Sequence, residues 1–304
     1  MIELSALNVF TYDLENFLRV VSKKGTESDI TLYHRKDDDN TYTFLSPSRF
    51  PDKISSLTDS IYPTDVALIN SNKLTKELGE VIIALDLMGA KRGYFMVDDE
   101  SSIDQIKAVV SKTSLKNFGF YSGNPMEFLD TLSKERHTPR FSKPTVIIDH
   151  FFKVKSVGTV ALGFVLGGKV EKHQKLMCSY VDKEAQIRSI QVQDEDKDSV
   201  ESGTRVGLAI KNVDSEELER GMFMTEGSFE YLKDFEARLE LHPAVKSQAD
   251  SSFEIFASDM MRYQRGVYDN GTVSLEKPVV KMKNEILMAT PNRSPRVQGK
   301  LRLS

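Results

Sequence analysis

The side chains best placed to do chemistry in this sequence are an acid and an imidazole that interrupt an apolar segment. Asp149 and His150 stand next to each other in the run from Ile147 to Val160, which residue alternation predicts as a buried strand. A carboxylate beside an imidazole can move a proton or hold a polar ligand. A surface pair at a strand end is the simpler interpretation, and a ligand pocket is the alternative.

The remaining candidate groups favour neither a metal site nor a nucleophile. The single cysteine, Cys178, excludes an internal disulfide and fits a reducing cytoplasm, where we expect the protein. The acidic run 194–198 lacks the glycine and the spaced glutamate of a calcium loop, which predicts a solvated hairpin. The histidines are scattered, without ligand spacing: His34, His137, His150, His173 and His242.

Bulk composition is that of an ordinary globular protein of two or three domains. The 304 residues are 39% hydrophobic and 28% charged, with a net charge of −4, which argues against non-specific coating of nucleic acid. The first residues carry acids and no basic region, unlike a secretory signal. No apolar run approaches the roughly 20 residues of a membrane helix, so we expect no membrane partner.

Positive charge is concentrated in residues 281–304, which contain one acid, Glu285. Such a stretch in an acidic protein is suited to RNA phosphates, and a solvated hairpin is the alternative. The candidates for RNA binding are Lys281, Lys283, Arg293, Arg296, Lys300 and Arg302.

The elements that must position these groups follow two patterns. Up to about residue 140, stretches with helical spacing, such as 13–25 and 75–89, alternate with short strand-like runs, such as 65–70. This alternation predicts a mostly parallel sheet covered by helices. After a polar, Pro-containing linker at 136–144, short apolar strands separated by Gly, Asp and Asn turns predict all-β structure.

We therefore predict an α/β plus all-β fold class with three domains. The α/β domain spans residues 1–140 and is followed by a β-barrel at 145–226 and a second at 228–304.

The middle unit resembles the second domain of translational GTPases of the elongation factor Tu type. The stretches that carry the resemblance are GTVALGFVLGGKV (158–170), RSIQV (188–192), GTRVGLAI (203–210) and EELERGMFM (216–224). The order of the units is also that of this family, and within it the chain looks most like the selenocysteine-specific factors of the SelB type. The resemblance implies a Rossmann-like P-loop-GTPase-type first domain followed by two translation-factor barrels.

The nucleotide-binding residues that the resemblance implies are missing. The family binds GTP through G-x-x-x-x-G-K-[ST], whose backbone amides and lysine hold the phosphates. The corresponding residues 11–16 read TYDLEN, with Asp13 and Glu15 where phosphate charge would lie. The family's D-x-x-G-H falls on Ser46–Phe50, with Ser46, Arg49 and Phe50 in the Asp, Gly and His places.

The guanine-reading motif N-K-x-D is also absent from its place, where residues 98–101 read DDES. Asn72 and Lys73 follow the wrong strand, and Ser122 alone remains of the family's Ser-Ala loop. We predict a GTPase-shaped scaffold that neither binds nor hydrolyses GTP and uses no GTP, Mg²⁺ or other cofactor. A divergent nucleotide site is the alternative.

A second site implied by the resemblance is retained in part. In this family the aminoacyl group of tRNA lies against the barrel, and SelB-type factors line that place with an Asp, a neighbouring basic residue and an Arg. These positions correspond to Asp149, His150 and Arg205. Imidazole and guanidinium would favour a selenolate, and Asp149 an α-amino group. A structural salt bridge is the alternative.

We predict a non-catalytic paralogue of translation elongation factors that binds tRNA, other RNA, the ribosome or translation factors, with no DNA partner. The resemblance places the C-terminal basic residues beside the acceptor and T stems of tRNA. The alternatives are an active or weak GTP-binding factor of the selenocysteine-specific type and a regulatory scaffold that binds proteins.

Overall fold

Helices and strands alternate through the first part of the chain in the predicted order. The computed structural model describes residues 5–37, 40–245, 251–259, 261–290 and 293–303. The first elements are β1 (Ser5–Tyr12), α1 (Glu15–Val21), β2 (Lys23–Glu27), β3 (Thr31–Lys36), β4 (Asn40–Ser46), α2 (Ile54–Ile61), β5 (Val66–Asn70), α3 (Lys76–Leu87), β6 (Gly93–Met96), α4 (Ile103–Val110), β7 (Gly119–Tyr121) and α5 (Pro125–Leu132).

Local signals set the helix ends. The side chain of Thr75 accepts a hydrogen bond from the Leu78 amide at 3.1 Å and begins α3. Gly89 follows α3 with a φ of +76°, a left-handed conformation that glycine adopts without strain. Asn124 caps α5 in the same way as Thr75 caps α3, through a 2.8 Å bond from the Met126 amide, and Pro125 occupies the first helical position.

The prediction of one helix over residues 13–25 is wrong. The helix ends at Val21, and Lys23 begins β2, whose five residues are all exposed. The apolar spacing explains the difference, because Val21 is the last residue of α1 with a buried side chain and the next turn contains Lys24 and Gly25. A further turn would bury no apolar surface, and the chain pairs with β3 instead.

The sheet is mixed rather than mostly parallel. Its order is β2-β3-β4-β1-β5-β6-β7. The pairs β1–β5, β5–β6 and β6–β7 are parallel, whereas β2 and β3 form an antiparallel pair. The carboxyl ends of the four parallel strands therefore lie along one edge, where ligands bind in open α/β sheets.

A closed barrel follows. Its elements are β8 (Thr145–Val154), β9 (Gly158–Gly167), β10 (Lys169–Glu171), β11 (Lys175–Cys178), β12 (Lys183–Val192), β13 (Glu195–Lys197), β14 (Ser199–Glu201), β15 (Arg205–Lys211) and β16 (Phe223–Thr225). The strands run β11-β16-β8-β9-β15-β12, and pairing of β11 with β12 closes the ring. Alternate side chains of β9 and β15, including Ala161, Val165, Val206 and Leu208, fill the interior.

The last strands form a second closed barrel. They are β17 (Tyr231–Leu241), β18 (Ser252–Ser258), β19 (Tyr263–Asp269), β20 (Thr272–Val280), β21 (Glu285–Ala289) and β22 (Val297–Leu303). Their order is β17-β20-β19-β18-β21-β22, again closed. The predicted fold class, an α/β part followed by two β-barrels, is confirmed.

The described residues divide into two compact units. One contains the middle barrel, residues 136–229, with the segments 5–8, 36–37 and 40–41. Within it, the predicted linker packs along the barrel, because the Arg140 amide donates to Leu166 O at 2.8 Å and Phe141 bridges Gly167.

The second unit contains residues 9–35, 42–135 and the described part of 230–304. One hydrophobic cluster there joins the α/β layers, including Phe10 and Ile82, with Val297 of β22. The predicted limits of three separate domains remain a prediction. In the described part of the chain, none of the helices is long and apolar enough to cross a membrane.

Candidate functional site

Asp149 lies at an irregularity in the first strand of the middle barrel. Ile148 pairs with Gly163 and His150 with Leu162, so Asp149 is the extra residue of a β-bulge. Gly163 permits the close approach there, because a Cβ on it would lie 2.2 Å from the carbonyl oxygen of Ile147. Ile148 and Phe151 both pack on the barrel core, which leaves Asp149 and His150 between them on the outer side.

Arg205 begins β15 and reaches the same outer face. Val206 and Leu208 point into the barrel, so Arg205 points out. Arg205 pairs with Phe164 of β9, and Phe164 pairs with Ile147 of β8. The guanidinium lies 5.8 Å from the centre of the Phe164 ring, a distance typical of cation–π contact.

The barrel therefore brings Asp149 and Arg205 together although 56 positions separate them. Arg205 Nη2 donates to Asp149 Oδ2 at 3.1 Å, and the side chains are only 15% and 10% exposed. Within the part of the chain that the structure describes, the buried atoms Asp149 Oδ1 and Arg205 Nε lack hydrogen-bond partners. Both atoms are shielded from solvent, so a further polar group reaches them only when one of the two side chains turns outward.

His150 does not join this pair. Its side chain is exposed, and its ring centre lies 6.3 Å from that of Phe152. Phe152 is itself 41% exposed and lies on the same face, where it forms part of an exposed apolar surface.

Sequence reasoning missed the apolar part of this site. Val160 and Leu162 of β9 are half-buried and pair with Phe152 and His150. Gly207 pairs with Leu162 from the other side, and a Cβ on it would lie 3.2 Å from Leu162 Cδ2. The alternation along β9 contained the signal, because inward Ala161 implies outward neighbours. The outer face thus combines a polar pair with a shallow apolar surface.

Side-chain hydrogen bonds join the ends of β1 and β5 at the carboxyl edge of the sheet, where the resemblance implies a nucleotide site. Asp13 follows β1 with a φ of +54°, a left-handed conformation unusual for a residue other than glycine. Asn70, at the end of β5, donates to Asp13 O at 2.9 Å and to Asp13 Oδ2 at 3.2 Å. A carboxylate and its amide partner therefore stand where the resemblance places phosphates.

The electrostatics of this edge are unfavourable for an anion. Burial, followed by the nearby Glu15 carboxylate, raises the pKa of Asp13 above its ordinary value, and Lys73 acts in the opposite direction. Glu15 is also the first residue of α1, so a negative charge already lies at the positive end of the helix dipole.

The neighbouring loops are tied to one another. Asn72 Oδ1 accepts the Asp98 amide at 2.7 Å, and Ser122 Oγ donates to Asp98 O at 3.1 Å. Asn72 and Lys73 thus belong to the loop between β5 and α3, which is hydrogen-bonded to the loop after β6. The Ser122 hydroxyl is therefore bonded to the backbone carbonyl of Asp98, at a place where the resemblance implies contact with a guanine base.

The segment assigned to D-x-x-G-H is also held by internal contacts. Ser46 is buried at the end of β4, and the Arg49 amide donates to Asp29 O at 3.2 Å. The Phe50 ring meets the Tyr12 ring edge-on at 6.1 Å. An aromatic contact therefore fills the position that the family gives to a histidine.

The basic residues of the C-terminal stretch are largely paired with carboxylates. Lys281 contacts Glu230, Lys300 contacts Glu285, Arg302 contacts Glu240 and Glu285, and Arg296 contacts Glu80. Lys283 and Arg293 line two separate depressions of the second unit. Sequence counting could not reveal most of this pairing, because Glu80, Glu230 and Glu240 lie outside the stretch.

Cys178 lies in the hydrophobic core of the middle barrel. Cys178 is buried, and burial raises the pKa of its thiol to about 12, which leaves it a poor nucleophile. Among the described residues, no group of three His, Cys, Asp or Glu side chains could hold a metal ion.

Comparison with known proteins identifies the middle barrel first. The family described as Elongation factor Tu domain 2 matches residues 158–225. The chain is 39% identical over 236 residues to the uncharacterized protein MJ0325 of Methanocaldococcus jannaschii, covering 77% of this chain and 76% of that protein. It is 38% identical over 97 residues to the selenocysteine-specific elongation factor of that organism, covering 32% and 20%.

Solved structures show the same fold. The crystal structure of translation elongation factor SelB from Methanococcus maripaludis, in complex with the GTP analogue GppNHp, matches with a TM-score of 0.83 at 18% identity, over 100% of this chain and 80% of that one. A bacterial selenocysteine-specific elongation factor, EF-Sec, matches with a TM-score of 0.81 at 16% identity, over 99% and 58%. This chain belongs to the elongation factor Tu family of translation factors, as a SelB-like paralogue.

Proposed function

We propose that this protein is a non-catalytic translation-factor paralogue that binds aminoacylated tRNA through the outer face of its middle barrel. The observation that carries the proposal is the Asp149–Arg205 pair, which is largely buried and in which one acceptor and one donor have no hydrogen-bond partner among the described residues. A pair with only a structural role would gain from satisfying both atoms internally. The selenocysteine-specific relatives support translation as the setting.

The geometry favours a ligand that carries a cationic donor and an anionic acceptor close together. An α-amino group would donate to the Asp149 carboxylate, and an anionic or hydroxyl oxygen or a selenolate would accept from the Arg205 guanidinium, once a side chain turns to expose these groups. His150 adds an exposed donor, and Phe152 and Leu162 offer apolar surface to an adjoining base or sugar. An aminoacyl ester on a terminal nucleotide has these groups in this arrangement.

Loss of GTP binding is the second part of the proposal. It is supported by the Asp13–Asn70 hydrogen bonds, which occupy the carboxyl edge of the sheet, and by Glu15 at the start of α1. Phosphates there would meet two carboxylates without a lysine or a glycine loop to hold them.

The basic residues of the C-terminal stretch that pair with carboxylates can bind RNA only if a phosphate replaces the carboxylate as their partner. Lys281 and Arg302 can do so because their carboxylate partners are at the surface. Arg296 is less suited, because its carboxylate partner Glu80 is 8% exposed.

Filter binding with aminoacylated and deacylated tRNA tests the first part, at about 50 and 200 mM salt. We expect tighter binding of the aminoacylated form and affinity that falls with salt. The triple variant Lys281→Gln, Lys300→Gln, Arg302→Gln should lower the salt dependence. The control is Lys175→Gln, which removes a paired and more exposed lysine from the middle barrel. Absence of binding to either tRNA form contradicts the proposal.

Equilibrium dialysis with GTP and Mg²⁺ tests the second part. We expect no saturable binding, and micromolar affinity would restore the active-factor alternative.

A regulatory scaffold that binds a protein partner is the second candidate. It is favoured by one observation, namely that the surface cations Lys281, Lys300 and Arg302 already contact carboxylates, which weakens the case for phosphate contacts. A pull-down that survives nuclease treatment and finds a translation protein would support it. The cytoplasmic location remains a prediction.

A further inference from the structure

Helix α3 is buried on most of its circumference. Residues 79 and 86, which share one face, are half-buried. The buried positions are Leu78, Glu80, Val81, Ile82, Ile83, Ala84, Leu85 and Leu87. A helix buried on opposite sides lies between two layers. The same hydrophobic cluster contains Val297 of β22, so the second barrel covers one side of α3.

The first polar contact between α3 and the barrel is made by Glu80 and Arg296. Arg296 Nη2 donates to Glu80 Oε2 at 2.8 Å, while its Nε and its backbone amide donate to Oε1 at 3.2 and 2.6 Å. The carboxylate is 8% exposed, so this bidentate pair is shielded from solvent. It joins positions 216 residues apart in the sequence.

The second contact lies about 9 Å further along α3, six residues on. His242 Nε2 lies 3.0 Å from Asp86 Oδ2, and the Ala244 amide donates to His242 Nδ1 at 3.1 Å. Since Nδ1 accepts, Nε2 carries the proton and donates to Asp86. Burial opposes ionisation of Asp86, but hydrogen bonds from His242 and Ser114 outweigh it and lower the pKa of Asp86 to about 2.

Arg296 also holds residues 47–53, the loop that precedes α2. Arg296 Nη1 donates to Pro51 O at 2.7 Å, and its guanidinium lies 5.7 Å from the centre of the Phe50 ring. Phe50 in turn contacts Tyr12 at the end of β1. One arginine of the barrel therefore contacts both α3 and a loop at the carboxyl edge of the sheet.

We infer that the contacts of Arg296 couple loop 47–53, α3 and the second barrel, so that these segments unfold and refold locally as one cooperative unit. Each contact is internal to the chain and needs no ligand. This inference goes beyond the proposed function and stands independently of tRNA or GTP binding.

Native-state hydrogen exchange of the full chain, followed by mass spectrometry, tests the inference. In the wild type we expect peptides containing loop 47–53, α3 and β22 to share one opening free energy. Arg296→Lys keeps the charge but loses the fork geometry. It should speed exchange by about 10- to 100-fold in the loop and in β22 together.

The matched control is Arg265→Lys. Arg265 makes the same bidentate contact, with Glu254, but that pair is exposed and lies within the barrel. Arg265→Lys should change the hydrogen-exchange rates of β18 and β19 alone. Either of two results would contradict the inference. One is different opening free energies for the loop and β22 in the wild type, and the other is faster exchange in Arg296→Lys that is confined to β22. Because the wild-type measurement needs no variant, a variant that fails to fold does not prevent the test.

Discussion

The sharpest test of the middle-barrel site separates a ligand-binding role for Asp149 and Arg205 from a structural one. We take the single change Arg205→Met, which keeps the apolar stem over Phe164 and removes the guanidinium. The double change Asp149→Asn with Arg205→Met then removes the charge on both sides.

The magnitude follows from burial. Breaking a fully buried pair by removing one partner costs about 3–5 kcal/mol, because a charge is left buried alone. Here the side chains keep 15% and 10% exposure and share one hydrogen bond, so we expect about 2–3 kcal/mol for Arg205→Met. The double variant leaves no buried charge, and we expect it to recover most of that loss.

The assay pairs urea denaturation, followed by circular dichroism, with filter binding to aminoacylated tRNA. Lys175→Met is the control, because its pair with Glu184 lies on the same barrel but is exposed, and we expect a cost of about 0–1 kcal/mol. The double variant should be nearly as stable as the wild type and still bind at least about tenfold more weakly, a loss of about 1.4 kcal/mol.

A double variant that is stable and binds aminoacylated tRNA as the wild type does would refute the ligand-binding role. The Asp149–Arg205 pair would then have only a structural role. Equal recovery of stability and binding would have the same meaning, since both would follow from the fold alone.

The remaining predictions concern single residues. The pKa of Asp86, lowered from 3.8 to about 2, gives a stability contribution that is present above about pH 4 and lost as the pH falls towards 2. Asp86→Asn should remove this acid-sensitive part, as measured by unfolding free energies between about pH 5 and 2, and an unchanged pH slope would count against the His242 contact. Cys178, with its pKa raised to about 12, should resist a thiol reagent at neutral pH until urea unfolds the barrel, and prompt labelling of the native protein would contradict its burial. Gly207→Val should weaken tRNA binding at a stability cost of about 1–2 kcal/mol, because the new side chain presses on the flexible end of Leu162 at the outer face. Unchanged affinity in filter binding would place the ligand elsewhere.

Much of the fold was predictable because its signals are local. Thr75 before α3, Gly89 after it and the alternation of Ala161 with Leu162 each act over a few residues. The one helix that was extended too far, over 13–25, failed where the apolar spacing stopped and pairing with β3 took over. That competition depends on a second strand, which local spacing does not describe.

The candidate site was predictable in part. The residue types Asp149 and Arg205 were identified by their resemblance to the family, and the structure brings them within 3.1 Å. His150 was grouped with them, but the bulge turns it outward to Phe152. A bulge reflects the register between two strands, and single-sequence alternation cannot locate it.

The sequence by itself determined which groups are present and which are missing. Asp13 and Glu15, where a phosphate loop would need glycine and lysine, are a matter of composition and need no coordinates. Only the tertiary structure decided which acidic and basic side chains pair with each other. Arg296 was predicted to meet RNA, yet it binds Glu80 across 216 positions. The physical reason is range: backbone preferences act between neighbours, whereas the partner of a charge is chosen by the packing of distant elements.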